Sequence, residues 1–446
     1  MLCIDKHELV KCASNRAAKI IIGLAIGLVL AGCGNEVTRL REPDAQSWPQ
    51  SRASSSRDAS VQTNVHIPIE LVWKKEIGKV ETNGPLSPVC AGSFYIMSIE
   101  GQLWCFDADS GKLLWKTGID GAGLGLPKIE NDRVVCMAVY PAEGSGPLEP
   151  NHRFSCDLVS FQIKTGKKIW QFRVPSRINW QSATSVVDFC VSGGRIYVVD
   201  NDSRLISVDA KTGKKISERL LFQDRYVIGP PLLEMSKLFI ATFDEKSQKY
   251  LLSMIDTVTG SVAWEDSFDD PIRLAGVAGG TIIITPGLLE GDLTAADAET
   301  GSITWKYPLP RHNLVIDIAY SPNTASIMLS FLEYVTAGHR RYLTSVDIGT
   351  GKEQWKTEVK ASGRLGIPIV FGDYGAVVLS GSNDDGIVIF RCRDGKVVQQ
   401  VRIGANHLLF GFVLASDCKI FVLAEVPRGK RNGLDEGNYT IIASYK

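Results

Sequence analysis

The sequence has no excess of either charge: Lys and Arg together number 49, and Asp and Glu also number 49. Without a summed positive field nothing holds a polyphosphate backbone, so no nucleic-acid partner is expected. Signatures of chemistry are missing too. There is no His-Glu-x-x-His, Cys-x-x-Cys or Gly-x-Ser-x-Gly segment, and the six histidines are scattered. That leaves no metal site, cofactor site or activated nucleophile to assign. No two cysteines adjoin. The most apolar stretch, Ile20 to Ala31, counts twelve residues, against the roughly 20 that a membrane-crossing helix needs.

That stretch follows Lys11, Arg16 and Lys19 and ends in small residues, which is the layout of a secretory signal. Leu30-Ala31-Gly32-Cys33 resembles the lipobox of bacterial lipoproteins. The resemblance implies that residues 1–32 are removed and that Cys33 carries a diacylglycerol and an acylated amino terminus, palmitate among the chains. Several acyl chains on one residue meet the requirement for stable anchoring, so the membrane itself is an expected partner. The residue after the cysteine is Gly34 rather than Asp, which by the same resemblance implies an outer-membrane address facing the periplasm. From there the chain is polar (SWPQSRAS, SSSRDAS), a composition that suits a flexible tether over residues 33–66 ahead of a body over 67–446.

The body is repetitive. Asp107 to Trp115 reads DADSGKLLW, and the nonapeptide recurs without gaps as QIKTGKKIW (containing Gly166 and Trp170), DAKTGKKIS (Asp209, Gly213) and DTVTGSVAW (Asp256, Gly260, Trp264). It continues as DAETGSITW (Asp297, Gly301, Trp305), DIGTGKEQW (Asp347, Gly351, Trp355) and, decayed, RCRDGKVVQ around Gly395. From Gly111 onward the glycines fall 41 to 55 residues apart, the size of one four-stranded propeller blade. Alternating stretches rich in β-branched residues, such as GRIYVV and RLISV, precede the copies and read as strands. In each copy the Asp carboxylate and the Thr or Ser hydroxyl can bond the bend of a turn, and the Gly supplies a positive φ. The Trp opens the outer strand and is expected to pack between blades, its indole N–H reaching a carbonyl.

The two ends complement each other. ELVWKKEIG around Trp73 is an outer strand without its own turn, and the C-terminal TIIASYK aligns with LISVD but lacks an outer strand. Their pairing would close the ring and leave no sheet edge open there. The expectation is an all-β propeller of eight four-stranded blades, with seven as the alternative.

The copies, together with openings such as Gly84-Pro85-Leu86-Ser87-Pro88 and Gly229-Pro230-Pro231, resemble the PQQ-type propeller repeat over Leu71 to Lys446. The quinone enzymes of that family carry adjacent cysteines and a calcium-side acid, which have no counterpart here. Asp107–Gly111 and Asn383–Gly386 only superficially match calcium loops, since the closing Glu is missing. A lipid-anchored propeller of this type is similar to the lipoprotein scaffold of the outer-membrane β-barrel assembly machine. The resemblance implies a non-catalytic platform for protein partners, with assembly components among them. The alternatives are a quinone-dependent dehydrogenase and an extracellular ligand-binding or sensor propeller. Exposed loops are expected at Pro141 to His152, Phe243 to Lys249, Phe331 to Arg340 and Pro427 to Asn438. Cys136 with Cys156, or Cys392 with Cys418, could pair, but buried free thiols are the equal alternative and no bridge is assigned.

Overall fold

The computed structural model describes residues 59–446 apart from 64, 79–87, 100, 126, 141–152, 180–187, 201–202, 288–290, 311–317, 336–337, 361–363, 381–385, 404–410, 417, 428–429, 432–433 and 436–437. Among these the regular structure is all β, and eight sheets follow one another along the chain as blades. Blade 1 spans residues 89–117, blade 2 123–179, blade 3 189–220, blade 4 225–268, blade 5 272–308, blade 6 319–358 and blade 7 364–402. Blade 8 takes three strands from residues 411–445 and its outer strand from the N-terminal Leu71–Gly78. That strand runs antiparallel to Asn438–Tyr445, with Trp73 opposite Ser444 and Lys75 opposite Ile442. The ring thus closes by pairing its two ends, with eight blades rather than seven. The decayed seventh copy builds a full blade, ending in Val397–Arg402.

Blade 3 illustrates why the strands read as they do. Its inner strands Phe189–Ser192, Arg195–Val199 and Arg204–Asp209 are nearly continuous apolar runs because both of their faces are covered by neighbouring blades, whereas the outer strand Lys215–Leu220 is exposed throughout. First strands neighbour one another around the axis: Val89–Ala91 lies beside Lys128–Glu130 on one side and Gly411–Ser416 on the other. Antiparallel succession then sorts the connections. The repeat turns share one face with the turns between first and second strands, as the bonds from Ala108 N–H to Ser93 O and from Ala210 N–H to Gly194 O (both 2.9 Å) record. The ends where second and third strands meet, as at the described hairpin Phe243 to Lys249, lie on the opposite face.

Several boundaries differ from expectation. Phe331 to Arg340 is mostly paired strand, because Ser326–Val335 and Gly338–Asp347 continue their ladder from Phe331 opposite Tyr342 to Val335 opposite Gly338. Charged residues on that hairpin made it read as loop. Within Pro427 to Asn438, Lys430–Arg431 pairs with Leu434–Asp435. Pro141 to His152 lies outside the described residues, between the long strands Arg133–Tyr140 and Arg153–Gln162, and absorbs the wide first spacing. The limit of 66 expected for the tether falls within packed chain: Ala59, Val61, Thr63 and Val65 are buried. Cys33 and residues 1–58 lie outside the described residues.

The repeat turns are built alike. Asp209 Oδ1 accepts bonds from Thr212 N–H and Thr212 Oγ1 (both 2.7 Å), and Gly213 N–H donates to Asp209 O at 2.8 Å. Asp256 with Thr259, Asp297 with Thr300 and Asp347 with Thr350 repeat the arrangement. The register of the third and fourth strands then slips by one residue just before the ring position, as where Cys105 faces Trp115 but Phe106 faces Leu113. The same slip occurs in all seven repeat blades. Such a bulge re-aims the side chain that follows it. The bulged residues Leu114, Ile169 and Ile216 stand half-exposed on the rim as a result.

Six tryptophans use that aim to cross a seam. Trp73, Trp115, Trp170, Trp264, Trp305 and Trp355 lie against Gly111, Gly166, Gly213, Gly301, Gly351 and Gly395 of the following blade. Gly166 shows what the contact demands: its φ is +67°, and a Cβ there would sit 2.6 Å from the Trp115 ring. Each indole N–H also donates across the seam, Trp115 to Ile163 O and Trp305 to Ile348 O at 2.8 Å, Trp355 to Cys392 O at 2.7 Å, and Trp73, Trp170 and Trp264 to Ala108, Ala210 and Ala298. At the seam between blades 3 and 4, Ser217 stands where the Trp would be. There Arg219 lies 3.3 Å from the Gly260 Cβ position and donates to Thr259 O at 2.9 Å.

Two outcomes follow from these contacts. Trp305→Ala removes a buried ring and leaves the Ile348 carbonyl unbonded, and is expected to cost about 3–5 kcal/mol in urea unfolding, while Arg219→Ala at the exposed seam costs under about 1 kcal/mol; equal losses would refute this ranking of the seams. Hydrogen bonds from the turn, led by Thr212, Thr259, Thr300 and Thr350, hold the carboxyls of Asp209, Asp256, Asp297 and Asp347 below their ordinary range. A folded-state value below the unfolded one makes their stabilisation complete above about pH 4 and lost as pH falls through the lowered values. The thermal midpoint should therefore fall steeply only in acid, and the four-fold Asp→Asn variant should show a shallower acid slope.

Candidate functional site

The residues singled out in the repeats are gathered on one face of the disc, where their polar groups are spent on the turns themselves. In the Asp107–Gly111 segment, Asp107 Oδ1 accepts from Ser110 N–H at 2.8 Å and Ser110 Oγ at 2.7 Å, which is the bonding of a turn and not of a cation loop. Asn383 to Asp385 lies outside the described residues, as do His152, His312 and His407. His339 falls within the strand Gly338–Asp347. Among the described residues no group of three or more His, Cys, Asp or Glu could hold a metal ion.

The opposite, hairpin-bearing half of blades 2 to 4 carries charged groups that interrupt otherwise apolar strands. At the base of the 141–152 insertion, Asp157 is buried and paired with Arg173 Nε at 2.6 Å; Gln171 donates to Asp157 and, at 2.9 Å, to the Tyr140 hydroxyl, and Arg173 lies 5.2 Å above the Tyr140 ring. Desolvation, with the Asp157 charge second, raises the Tyr140 pKa. In blade 4, Arg225 grips Glu265 through both ends of its guanidinium (2.5 and 3.1 Å) and stacks 4.5 Å from the Phe222 ring, and Ser253 adds a bond to Glu265 at 2.9 Å. Nearer the axis, Lys128 and Asp188 form a buried ion pair at 2.8 Å that joins the first strands of blades 2 and 3, with the Lys128 ammonium 4.7 Å over the Phe189 ring. Each of these charges has an oppositely charged partner within the body, and the pairs tie neighbouring strands of blades 2 to 4 together. Sequence reasoning missed them, although one signal was present: a lone Asp or Arg inside an apolar strand, as in SCDLVSF or QFRVP.

Seven cysteines within the described residues are free, and six of them are buried. Cys136 faces Val159 while Cys156 faces Val139, so the two sit at different positions of their ladder; Cys392 belongs to blade 7 and Cys418 to blade 8. Burial pushes the thiols of Cys156 and Cys392 up to about 12, so neither offers a thiolate at neutral pH.

Comparison with known proteins places this architecture. A family model described as outer membrane protein assembly factor BamB matches residues 70–226 and 248–408. BamB of Bordetella pertussis is 22% identical over 413 residues, which cover 88% of this chain and 91% of that protein. BamB of Burkholderia pseudomallei is 22% identical over 375 residues, covering 79% and 87%. The match to BamB of Nitrosomonas eutropha, also 22% identical, spans 58% of the length of either protein. Among solved structures, BamB from Moraxella catarrhalis aligns with a TM-score of 0.51 at 15% identity over 85% of this chain and 97% of its own. Quinohemoprotein alcohol dehydrogenase from Comamonas testosteroni aligns at 0.62 and 11% over 90% and 80%. At those identities the structural likeness speaks to the fold alone, and it is shared by an enzyme and an assembly factor. The family model is the more specific finding, running from the closing strand of blade 8 into the connection after blade 7: the chain belongs to the family of the outer membrane protein assembly factor BamB.

Proposed function

We propose that this protein is a non-catalytic platform for protein partners in outer-membrane protein assembly, held to the membrane through lipid on Cys33 and facing the periplasm. The observation that carries the reading is family membership over most of the chain, with relatives that bear the name of an assembly factor. The geometry supports it. The disc presents hairpins from one face, the charged clusters of blades 2 to 4 are internally paired, and six of its seven described thiols are buried, which suits a protein that works through its surface. The signal over residues 1–32 and the polar chain that follows supply export and reach.

The test is affinity purification of the tagged, lipidated protein after mild crosslinking, with Cys33→Ser as control. The expected result is co-recovery of outer-membrane barrel-assembly components from the wild type and a loss of about tenfold or more from the unanchored variant. A preparation without such partners, above all one carrying a quinone absorbance, would sink the platform reading in favour of a dehydrogenase.

A further inference from the structure

The seam between blades 7 and 8 has neither half of the usual lock. Gln399 stands where blade 7 would carry its Trp, and blade 8 has no repeat turn to receive one between its third and outer strands, because the outer strand beside Asn438–Tyr445 is the N-terminal Leu71–Gly78. What lies there is the stretch ahead of the closing strand. Its residues alternate: Ala59, Val61, Thr63, Val65 and Ile69 are buried, while Gln62 and His66 are exposed. The apolar members share a core cluster with Ile369, Val370 and Phe371 of blade 7 and with Ile420 and Phe421 of blade 8.

This stretch is fastened at each stage of a path from axis to rim. Ser60–Val61 adds a parallel strand to the inner edge of blade 7, beside Val370 and Phe371, through bonds from Val370 N–H to Ala59 O at 2.9 Å and from Gly372 N–H to Val61 O at 3.3 Å. Thr63 Oγ1 then accepts from Cys418 N–H, in the first turn of blade 8, at 2.7 Å. At the rim the Gln399 side chain holds both backbone groups of Ile69, at 2.7 and 2.9 Å, and Glu70 and Lys446 exchange backbone bonds at 2.9 and 3.0 Å. The stretch crosses the repeat-turn face, since both Gly372 and Cys418 belong to turns between first and second strands.

We propose that residues 59–69 are a clasp that shuts the blade 7–blade 8 seam from the inner edge to the rim. The ring is then closed twice by one chain end: once by Leu71–Gly78 at the outer edge, and once, ahead of it, by Ser60–Val61 at the inner edge. The clasp takes the place of the missing Trp and turn, and the amino acids next to the tether are a working part of the body. Its sequence rule is a small or β-branched residue at every second position, which a polar tether has no reason to keep.

Hydrogen exchange on the full chain at single-amide resolution tests this. In the wild type the amides of Val370, Gly372 and Cys418 are expected to be protected. Val61→Asp, which puts a charge in the buried row, should lower protection at Val370 and Gly372 by about tenfold or more and speed exchange across Leu71–Gly78, with blades 3 to 5 unchanged. Thr63→Val keeps the shape and removes only the acceptor, so it should release the Cys418 amide alone; it supplies the reading if Val61→Asp does not fold. Free exchange of Val370 and Gly372 in the wild type, or unchanged protection in a folded Val61→Asp variant and at Cys418 in Thr63→Val, would overturn the clasp.

Discussion

An indole lying against a glycine of the next blade is the contact on which the rest of this structure depends. It dictates Gly at a position with positive φ, because a Cβ would collide with the ring, and a bulge just before the Trp, because without it the ring would not aim across the seam. It also dictates a turn rigid enough to hold that glycine in place, which the Asp and Thr side chains provide. The nonapeptide is therefore one device with three parts. Its carbonyl acceptor, one residue after the Asp, explains why the position following the Asp contributes backbone and tolerates Ala, Ile or Cys.

The exceptions define how far that device can be relaxed. Where Ser217 replaces Trp, the stem of Arg219 covers Gly260 and its guanidinium bonds Thr259 O, a different carbonyl of the same turn, an arrangement that gives up most of the apolar contact. Where the copy decays to RCRDGKVVQ, Asp394 turns to Arg391 and Lys396 to order the bend, and Gly395 still receives Trp355. Glycine is kept at both sites while the acid and the ring are exchanged. The geometry of the receiving side is thus the least negotiable part of each seam.

Period, strand count and closure by the two ends were all legible in the sequence, since they rest on local pattern repeated many times. The parts that were not legible rest on distant partners. Ala59 to His66 reads as polar tether until Ile369–Phe371, some three hundred residues later, supplies the edge and the apolar wall against which Ala59, Val61 and Val65 are buried. The paired charges of Asp157 with Arg173 and Arg225 with Glu265 join different strands, so neither residue alone announces the cluster. Phe331 to Arg340 carries loop-like charge but keeps its ladder. The turn residues of the repeats, by contrast, were visible because each belongs to a nine-residue unit.

The short parallel strand Ser60–Val61 also fixes where force enters the body. A pull on the chain ahead of Ala59 reaches the inner edge of blade 7 before it reaches the rim. Directed along the strand, it loads the bonds to Val370 and Gly372 in shear, both together, instead of peeling the outer strand of blade 8 one bond at a time. The closing strand Leu71–Gly78 lies behind that point along the chain, so the inner edge of blade 7 takes the load before the outer edge of blade 8 does.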